Sequence, residues 1–293
     1  RVRSRLIEQR GIEMNLEWRD KTESGFEYNV GVNMSTIRNR MTKLNGGTPI
    51  SDGPFRNGSM YLTYTNEGMP IGAFWGYKTD GLIQTQEQLN AVKRADFQPN
   101  AELGDVLFVD TNGDGKLDSS DRCMIGNPIP DIIYGINMGM AWKGFDLNLQ
   151  FGGTIGNQIF NAMRYYTYFP NDITNKDRAL MNYWTPNNTN TDIPRLTATD
   201  VNDNDRFSDM YVENGTYFRL RNAQLGYTLP ASLTQRIKLQ KVRFYVSGQN
   251  LFTISSYSGM DPEVGQSSSL SRGIDYGIYP QNISFTGGIN VTF

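Results

Sequence analysis

The 293-residue sequence contains no histidine and a single cysteine, Cys123. The first absence excludes His-based triads, histidine general bases and histidine–metal sites. The second excludes an intrachain disulfide framework and any CxxC zinc or redox motif. A large excess of charge of one sign is also missing. There are 28 Lys+Arg against 30 Asp+Glu, a formal net charge of −2, and no basic runs, which argues against a nucleic-acid partner. No apolar run approaches the ~18 residues of a transmembrane helix, and the mean hydropathy is −0.51. A transmembrane β-barrel stays open, because its strands are apolar on one side only. The opening residues RVRSRLIEQRG include no initiator Met and no signal-peptide pattern. A mature N-terminus or a piece of a longer protein is expected there.

What is present is alternation. Ile12, Met14, Leu16 and Trp18 alternate with Glu13, Asn15, Glu17 and Arg19. After a polar turn at 20–25, Phe26, Tyr28, Val30, Val32 and Met34 alternate with Glu27, Asn29, Gly31, Asn33 and Ser35. Ile132 to Trp142 and Phe145 to Phe151 repeat the pattern on either side of Lys143-Gly144, a tight hairpin in which Gly144 supplies positive φ. Tyr217–Leu229, Val242–Gln249 and Ile283–Phe293 complete seven strands. About ten alternating residues is the length with which a tilted strand crosses a bilayer.

A soluble antiparallel sandwich alternates for the same reason. Two features favour the membrane. The strands exceed the typical 5–6 residues, and the connections alternate in length. Short ones fall at 20–25, 143–144 and 230–241, long ones at about 38–131, 156–215 and 255–281. Outer-membrane barrels pair short periplasmic turns with long extracellular loops. Trp18, Phe26, Trp142 and Phe145 then flank the periplasmic turns, where an aromatic girdle is expected.

The inward set is predicted to include Glu13, Asn15, Asn29, Asn33, Asn137, Asn148, Gln150, Ser247, Gln249, Ser284 and Asn290. Arg219 and Arg221 conflict with this, sharing parity with Ala223–Leu229 on the lipid side. At this tilt Arg219 stands about 28 Å above Pro230, so the strand is expected to project beyond the membrane. Seven strands make an open sheet, whose edges lipid does not tolerate. Further strands are expected before residue 1 or from another chain.

Residues 110–121 read DTNGDGKLDSSD, the pattern of a 12-residue calcium loop. Oxygen ligands fall at Asp110, Asn112 and Asp114, with Gly115 at the sharp turn, a backbone carbonyl at Lys116, Asp118 at position 9 and Asp121 at position 12. A dense oxygen cluster suits a hard cation, calcium in preference to magnesium. Asp121 in place of Glu lowers the expected affinity, and Val106–Val109 reads as a strand, so no EF-hand pair is formed. An Asp/Asn/Gly turn uses the same residues for backbone reasons alone. Asp203, Asp205, Asp209 and Glu213 are scattered loop acids, and such acids are usually solvated. Trp75, Tyr77, Tyr165, Tyr166 and Trp184 fall in long connections, where aromatics either stack on sugars or peptides or pack the loops.

Five stretches then carry a resemblance: EGMPIGAFWGYKTDGLIQ (67–84), GDVLFVDTNGDGKLDSSDR (104–122), IGNPIPDIIYGINMGMAWKGFDLNLQFGGTIGNQIFN (125–161), YVENGTYFRLRNAQLGYTLP (211–230) and VRFYVSGQNLFTISSYSGMDPEV (242–264). In this order, before a strand ending in Phe293, the sequence resembles the C-terminal part of the SusC/RagA family, TonB-linked outer-membrane transporters of Bacteroidetes. The resemblance implies an all-β fold, a transmembrane antiparallel barrel of about 22 strands with a plug, of which residues 1–293 are the C-terminal portion. It implies a SusD-like surface lipoprotein lid, energy from TonB through the N-terminal part absent here, outer-membrane lipid around the barrel, and an oligosaccharide or peptide substrate. No bond chemistry is expected. A secreted calcium-stabilised β-domain that binds or cleaves glycans is the alternative, and a structural barrel or siderophore receptor a third reading.

Overall fold

A computed structural model describes residues 5–44, 46–55, 58, 60–168, 175–265 and 268–293. Its main sheet has seven strands: β1 (Glu13–Lys21), β2 (Glu27–Thr36), β3 (Ile132–Trp142), β4 (Phe145–Ile155), β5 (Tyr217–Thr228), β6 (Lys241–Ser255) and β7 (Ser284–Thr292). They neighbour one another in chain order, every pair antiparallel. This is an up-and-down meander, open at β1 and β7. The tight β3–β4 turn has Lys143 at φ 47 and Gly144 at φ 86. Positive φ at both central residues is the type I′ geometry that matches strand twist, so Lys143 shares the strained conformation expected of Gly144 alone.

Register makes the two faces explicit. One cross-strand row runs Trp18, Val30, Met138, Leu149, Ala223, Gly248 and Phe285. The adjacent row runs Glu17, Gly31, Asn137, Gln150, Asn222, Gln249 and Ser284 through the same seven strands. Because side chains alternate along each strand, one row faces each side of the sheet. Among the described residues no second layer covers the apolar side. Leu16, Trp18, Leu225, Val246, Phe285 and Ile289 are all exposed, which a soluble sandwich would bury. Among the described residues no helix is long and apolar enough to cross a membrane.

The buried apolar residues lie mostly in the connections. One core joins Phe55, Leu62 and Phe74 from the first long connection with Phe160, Tyr165 and Phe207 from the second and Ile274 from the third. The first connection also holds helix α1 (Gln86–Arg94), started by a capping box between Thr85 and Gln88. Residues 38–43, expected in a loop, are strand. Arg38–Lys43 pairs with Leu6–Arg10 and prolongs the first hairpin.

The arginine conflict resolves differently from expectation. β5 does not keep one parity, because Arg221 is a β-bulge. Gln150 and Gln249 oppose Asn222, whereas Phe151 and Phe252 oppose Leu220; Arg221 is extra against β4, and on β6 two residues, Asn250 and Leu251, fall in the same gap. The extra residue reverses which side chains face inward. Leu220 joins the apolar face, and Arg219, opposite Gly152 and Thr253, joins the polar one.

Candidate functional site

The polar face is built for close approach of side chains to backbone. Asn29 lies flat over Gly139, where a Cβ would come within 2.2 Å of its amide oxygen. At the short-turn end Arg243 reaches across β5 and forks onto Asp146, Nε donating to Oδ1 at 2.9 Å and Nη2 to Oδ2 at 2.5 Å, with Gln224 as a further acceptor. Beside them a concavity of about 580 Å³ opens between Arg19, Lys21, Glu27, Asn29 and Asn148. On the opposite face of the same end, Trp142, Phe145, Tyr227, Phe244 and Ile289 form one cross-strand row. Phe145 and Tyr227 pack at 4.5 Å between centroids, an aromatic row of the kind expected beside the short turns, whereas Trp18 lies four residues deeper, in the row of Met138 and Leu149.

At the other end, loop residues are tied to the wall by charge. Arg219 is 2% exposed. It donates through Nε to Thr253, through Nη2 to Asp261 at 2.6 Å and through Nη1 to Glu263 at 3.0 Å. Burial pushes the pKa of Asp261 up, but the N–H groups of Gln281 and Glu263 and the Arg219 guanidinium outweigh it and hold the carboxyl below its ordinary value. A second buried network joins the first two long connections. Gln98 and Asn202 bond the strand segment Val106–Phe108, and Asn204 and Arg195 converge on Asp105. Its members lie some 90–100 positions apart, so sequence spacing carried no signal of it.

The aromatic candidates do not form one surface. Tyr165 is buried in the shared loop core and donates its hydroxyl to Asp205. Trp184 is buried in a second core with Leu82, Phe97, Val106 and Phe108, its indole N–H on Gln84. Trp75, Tyr77 and Tyr166 are half-buried. Trp75 stacks on Tyr64 at 4.5 Å, Tyr166 packs at a tilt against Phe55, and Tyr77 lies edge-on to Phe108. The scattered acids are separate anchors rather than a pair. Asp203 holds Arg206, Asp209 accepts from Thr79, and Glu213 accepts from Asn161 and Ser258.

In the acidic loop the side chains serve the backbone. Asp110 accepts from the N–H of Gly113 and Gly115, Asn112 from Asp114, Asp114 from Lys116, and Asp118 from Ser120. Asp121 is fully buried and takes the N–H groups of Thr111 and Asp118. Among the described residues no three acidic or cysteine side chains gather closely enough to hold a metal ion. The donor set has the hardness calcium requires, and each carboxylate oxygen retains a lone pair. Capture would need the turn to draw Asp110, Asp114 and Asp118 together.

A sheet with a polar inner row, a bare apolar outer row and an aromatic girdle is the wall of a transmembrane β-barrel. No family model matches the sequence. TonB-dependent receptor P3 of Formosa agariphila is 36% identical over 299 residues, spanning 98% of this chain and 29% of that protein. TonB-dependent receptor SusC of Bacteroides thetaiotaomicron is 26% identical over 288 residues, spanning 98% and 26%. A chain of the RagAB peptide transporter superposes with a TM-score of 0.75 at 23% identity, covering 98% of this chain and 29% of that one. The RagAB peptide importer in its closed-closed state gives 0.74 at 24% identity, over 98% of this chain and 30% of its own. Along nearly its whole length, then, the chain is homologous to the outer-membrane TonB-dependent receptors, SusC among them, and has the barrel fold of RagAB. It spans less than a third of the length of the curated relatives it matches.

Proposed function

We propose that the protein containing this chain imports oligosaccharides or peptides across the outer membrane, driven by TonB, and that residues 1–293 form the C-terminal portion of its barrel. The observation that carries the reading is the pair of adjacent rows through all seven strands, one apolar and one polar. A wall apolar towards lipid and polar towards a lumen lets a hydrophilic cargo pass without desolvating against hydrocarbon. The short turns face the periplasm. Connections 38–131, 156–215 and 255–281 face outside, where a SusD-like lipoprotein closes over them. TonB engages a part of the protein outside this chain. The barrel makes and breaks no covalent bond, and Trp75, Tyr77 and Tyr166 are the half-buried rings that cargo reaches. The names of the relatives support receptor and transport chemistry, and the RagAB titles support peptides as one cargo class.

A calcium ion in the 110–121 loop belongs to the same reading, held by Asp110, Asn112, Asp114, Asp118 and the Lys116 carbonyl. Calorimetric titration of the full-length protein with calcium, and of its Asp110→Asn variant, reads it out. Heat that persists in the variant places calcium elsewhere. For transport, uptake of labelled oligosaccharides and peptides is compared between wild-type, receptor-deleted and TonB-deleted cells. Uptake independent of both genes would overturn the reading.

A further inference from the structure

The first hairpin continues past the membrane wall, and its outward face changes from apolar to basic. Leu6–Arg10 pairs with Arg38–Lys43. Arg10 stands opposite Arg38 and Glu13 opposite Ser35, so both strands have the same number of residues across the break between them. Side-chain parity therefore carries through from β1 and β2. Leu16 with Val32 and Met14 with Met34 lie on the apolar outer face. Arg10 with Arg38 and Glu8 with Arg40 continue that face, and a register shift brings Lys43 opposite Leu6 on the same side.

The charges there do not balance, since four cations stand with one acid. Arg10 donates through Nε to Glu8 and is ion-paired with it. Arg38, Arg40 and Lys43 are exposed and, among the described residues, have no carboxylate partner. Arg40 lies alongside Gly68, and the neighbouring Glu67 accepts from the N–H of Leu44 instead. Like charges directly opposite one another weaken a strand pair, so the Arg10–Arg38 pair calls for an anion. Height decides which anion it meets. Ile132, opposite Thr36, is ten residues along β3 from Trp142, and Arg38 lies two beyond Thr36. Twelve residues on a strand tilted by about 40° rise about 30 Å, against an apolar band about 25 Å tall. The cations thus stand at the level of the outer headgroups, directly above Ile12 and Met14.

We propose that this face of the first hairpin binds the phosphate of a phosphorylated lipid in the outer leaflet. Arg38 and Arg40 supply open guanidinium forks, which match phosphate oxygens bidentately. Arg10 and Lys43 add the surrounding charge, and the exposed Ile12, Met14 and Leu16 lie against the acyl chains below. A cluster of about four Lys/Arg beside a membrane span is the pattern that holds anionic headgroups. A lipid is favoured over an acidic protein because the basic face is continuous with the lipid-facing one. The inference is independent of cargo and of TonB, and rests on the proposed function only for which end of the barrel faces outside.

The test is native mass spectrometry of the full-length receptor in detergent. It is titrated with diphosphoryl lipid A, with the same lipid dephosphorylated, and with glucosamine phosphate as a soluble headgroup. Diphosphoryl lipid A is expected to bind saturably and about tenfold or more tighter than either other probe. Arg38→Gln/Arg40→Gln should remove that preference, and Glu8→Gln, which takes away the one acid, should raise it. Arg236→Gln/Lys238→Gln, at exposed cations of the opposite, short-turn end, should change nothing. Equal binding of the dephosphorylated lipid, a preference unchanged in Arg38→Gln/Arg40→Gln, or an equal loss in Arg236→Gln/Lys238→Gln would overturn the proposal. Glucosamine phosphate bound as tightly as the lipid would overturn the lipid assignment and give the site to a soluble anion. Release of the lipoprotein by Arg38→Gln/Arg40→Gln with lipid binding unchanged would give the face to a protein. Orientation is read separately on whole cells with an impermeant maleimide, in a receptor freed of other cysteines. Reaction at Ser24→Cys but not at Gln9→Cys would sink the orientation instead, the lipid site standing on its binding in detergent.

Discussion

Arg243 and Asp146 sit on β6 and β4, with β5 between them, and their bidentate ion pair passes directly over Gly226. A Cβ at Gly226 would lie 2.4 Å from Arg243 Nη2 and 2.6 Å from Asp146 Oδ1. The pair therefore exists because the intervening strand has no side chain there. It ties three strands together on the lumen face, where the sheet has no hydrophobic core to do so.

Substituting Gly226 by alanine should break that fork or push it aside. Overpacking of this kind costs about 1–3 kcal/mol. The folded receptor should lose its heat-resistant mobility on unboiled gels at a lower temperature than wild type. An unchanged transition would mean that the pair relocates freely.

The two faces predict opposite outcomes for neighbouring residues. Leu149 to Arg, four residues in from the Phe145 row, places a cation towards lipid and should destabilise by about 2–4 kcal/mol near the midplane. Asn148 to Arg, one residue earlier on the exposed polar face, should be nearly neutral. Urea unfolding of the full-length protein in lipid vesicles measures both, and equal losses would contradict the facing assigned by register.

Arg219→Met removes the cation beneath the third long connection. It leaves Asp261, 4% exposed, without its charge partner. Breaking a buried pair on one side costs about 3–5 kcal/mol. Because Arg219 holds the connection rather than the sheet, limited proteolysis should open residues 256–283 while the barrel stays intact. The double variant Arg219→Met/Asp261→Asn should recover part of the loss.

The same anchor sets a pH response. Asp261 has a folded pKa below its unfolded one. Its contribution is therefore complete above the unfolded value of about 3.9 and is lost as pH falls through the lower folded value. Proteolytic protection of 256–283 should hold from pH 7 to about pH 4 and decline below that. In Asp261→Asn this acid-dependent step should be absent.

Much of the wall was legible in the one-dimensional pattern. Alternation is a local property, and lipid on one side with polar cargo on the other enforces it at every residue. Seven strands, their parity and the aromatic row at the short turns could thus be read from Ile12 to Phe293 without coordinates. The Arg221 bulge could not, because a bulge is a relation between three strands and leaves no mark within one. The side on which Arg219 lies depended on it. Nor could the sequence tell that Tyr165 and Trp184 are core while Trp75, Tyr77 and Tyr166 are half-exposed, since burial in a loop is decided by which distant segments fold over it. Asp105 with Arg195, or Arg243 with Asp146, come from positions about 90–97 apart. Charge pairing at that range has no period to betray it. The sequence by itself determined which strands cross the membrane and, away from the irregularity at Arg221, which way their side chains turn, because the bilayer acts on every strand residue alike. Tertiary packing alone decided where Arg195, Arg219 and Arg243 meet their carboxylates, because each partner comes from a distant segment folded over it.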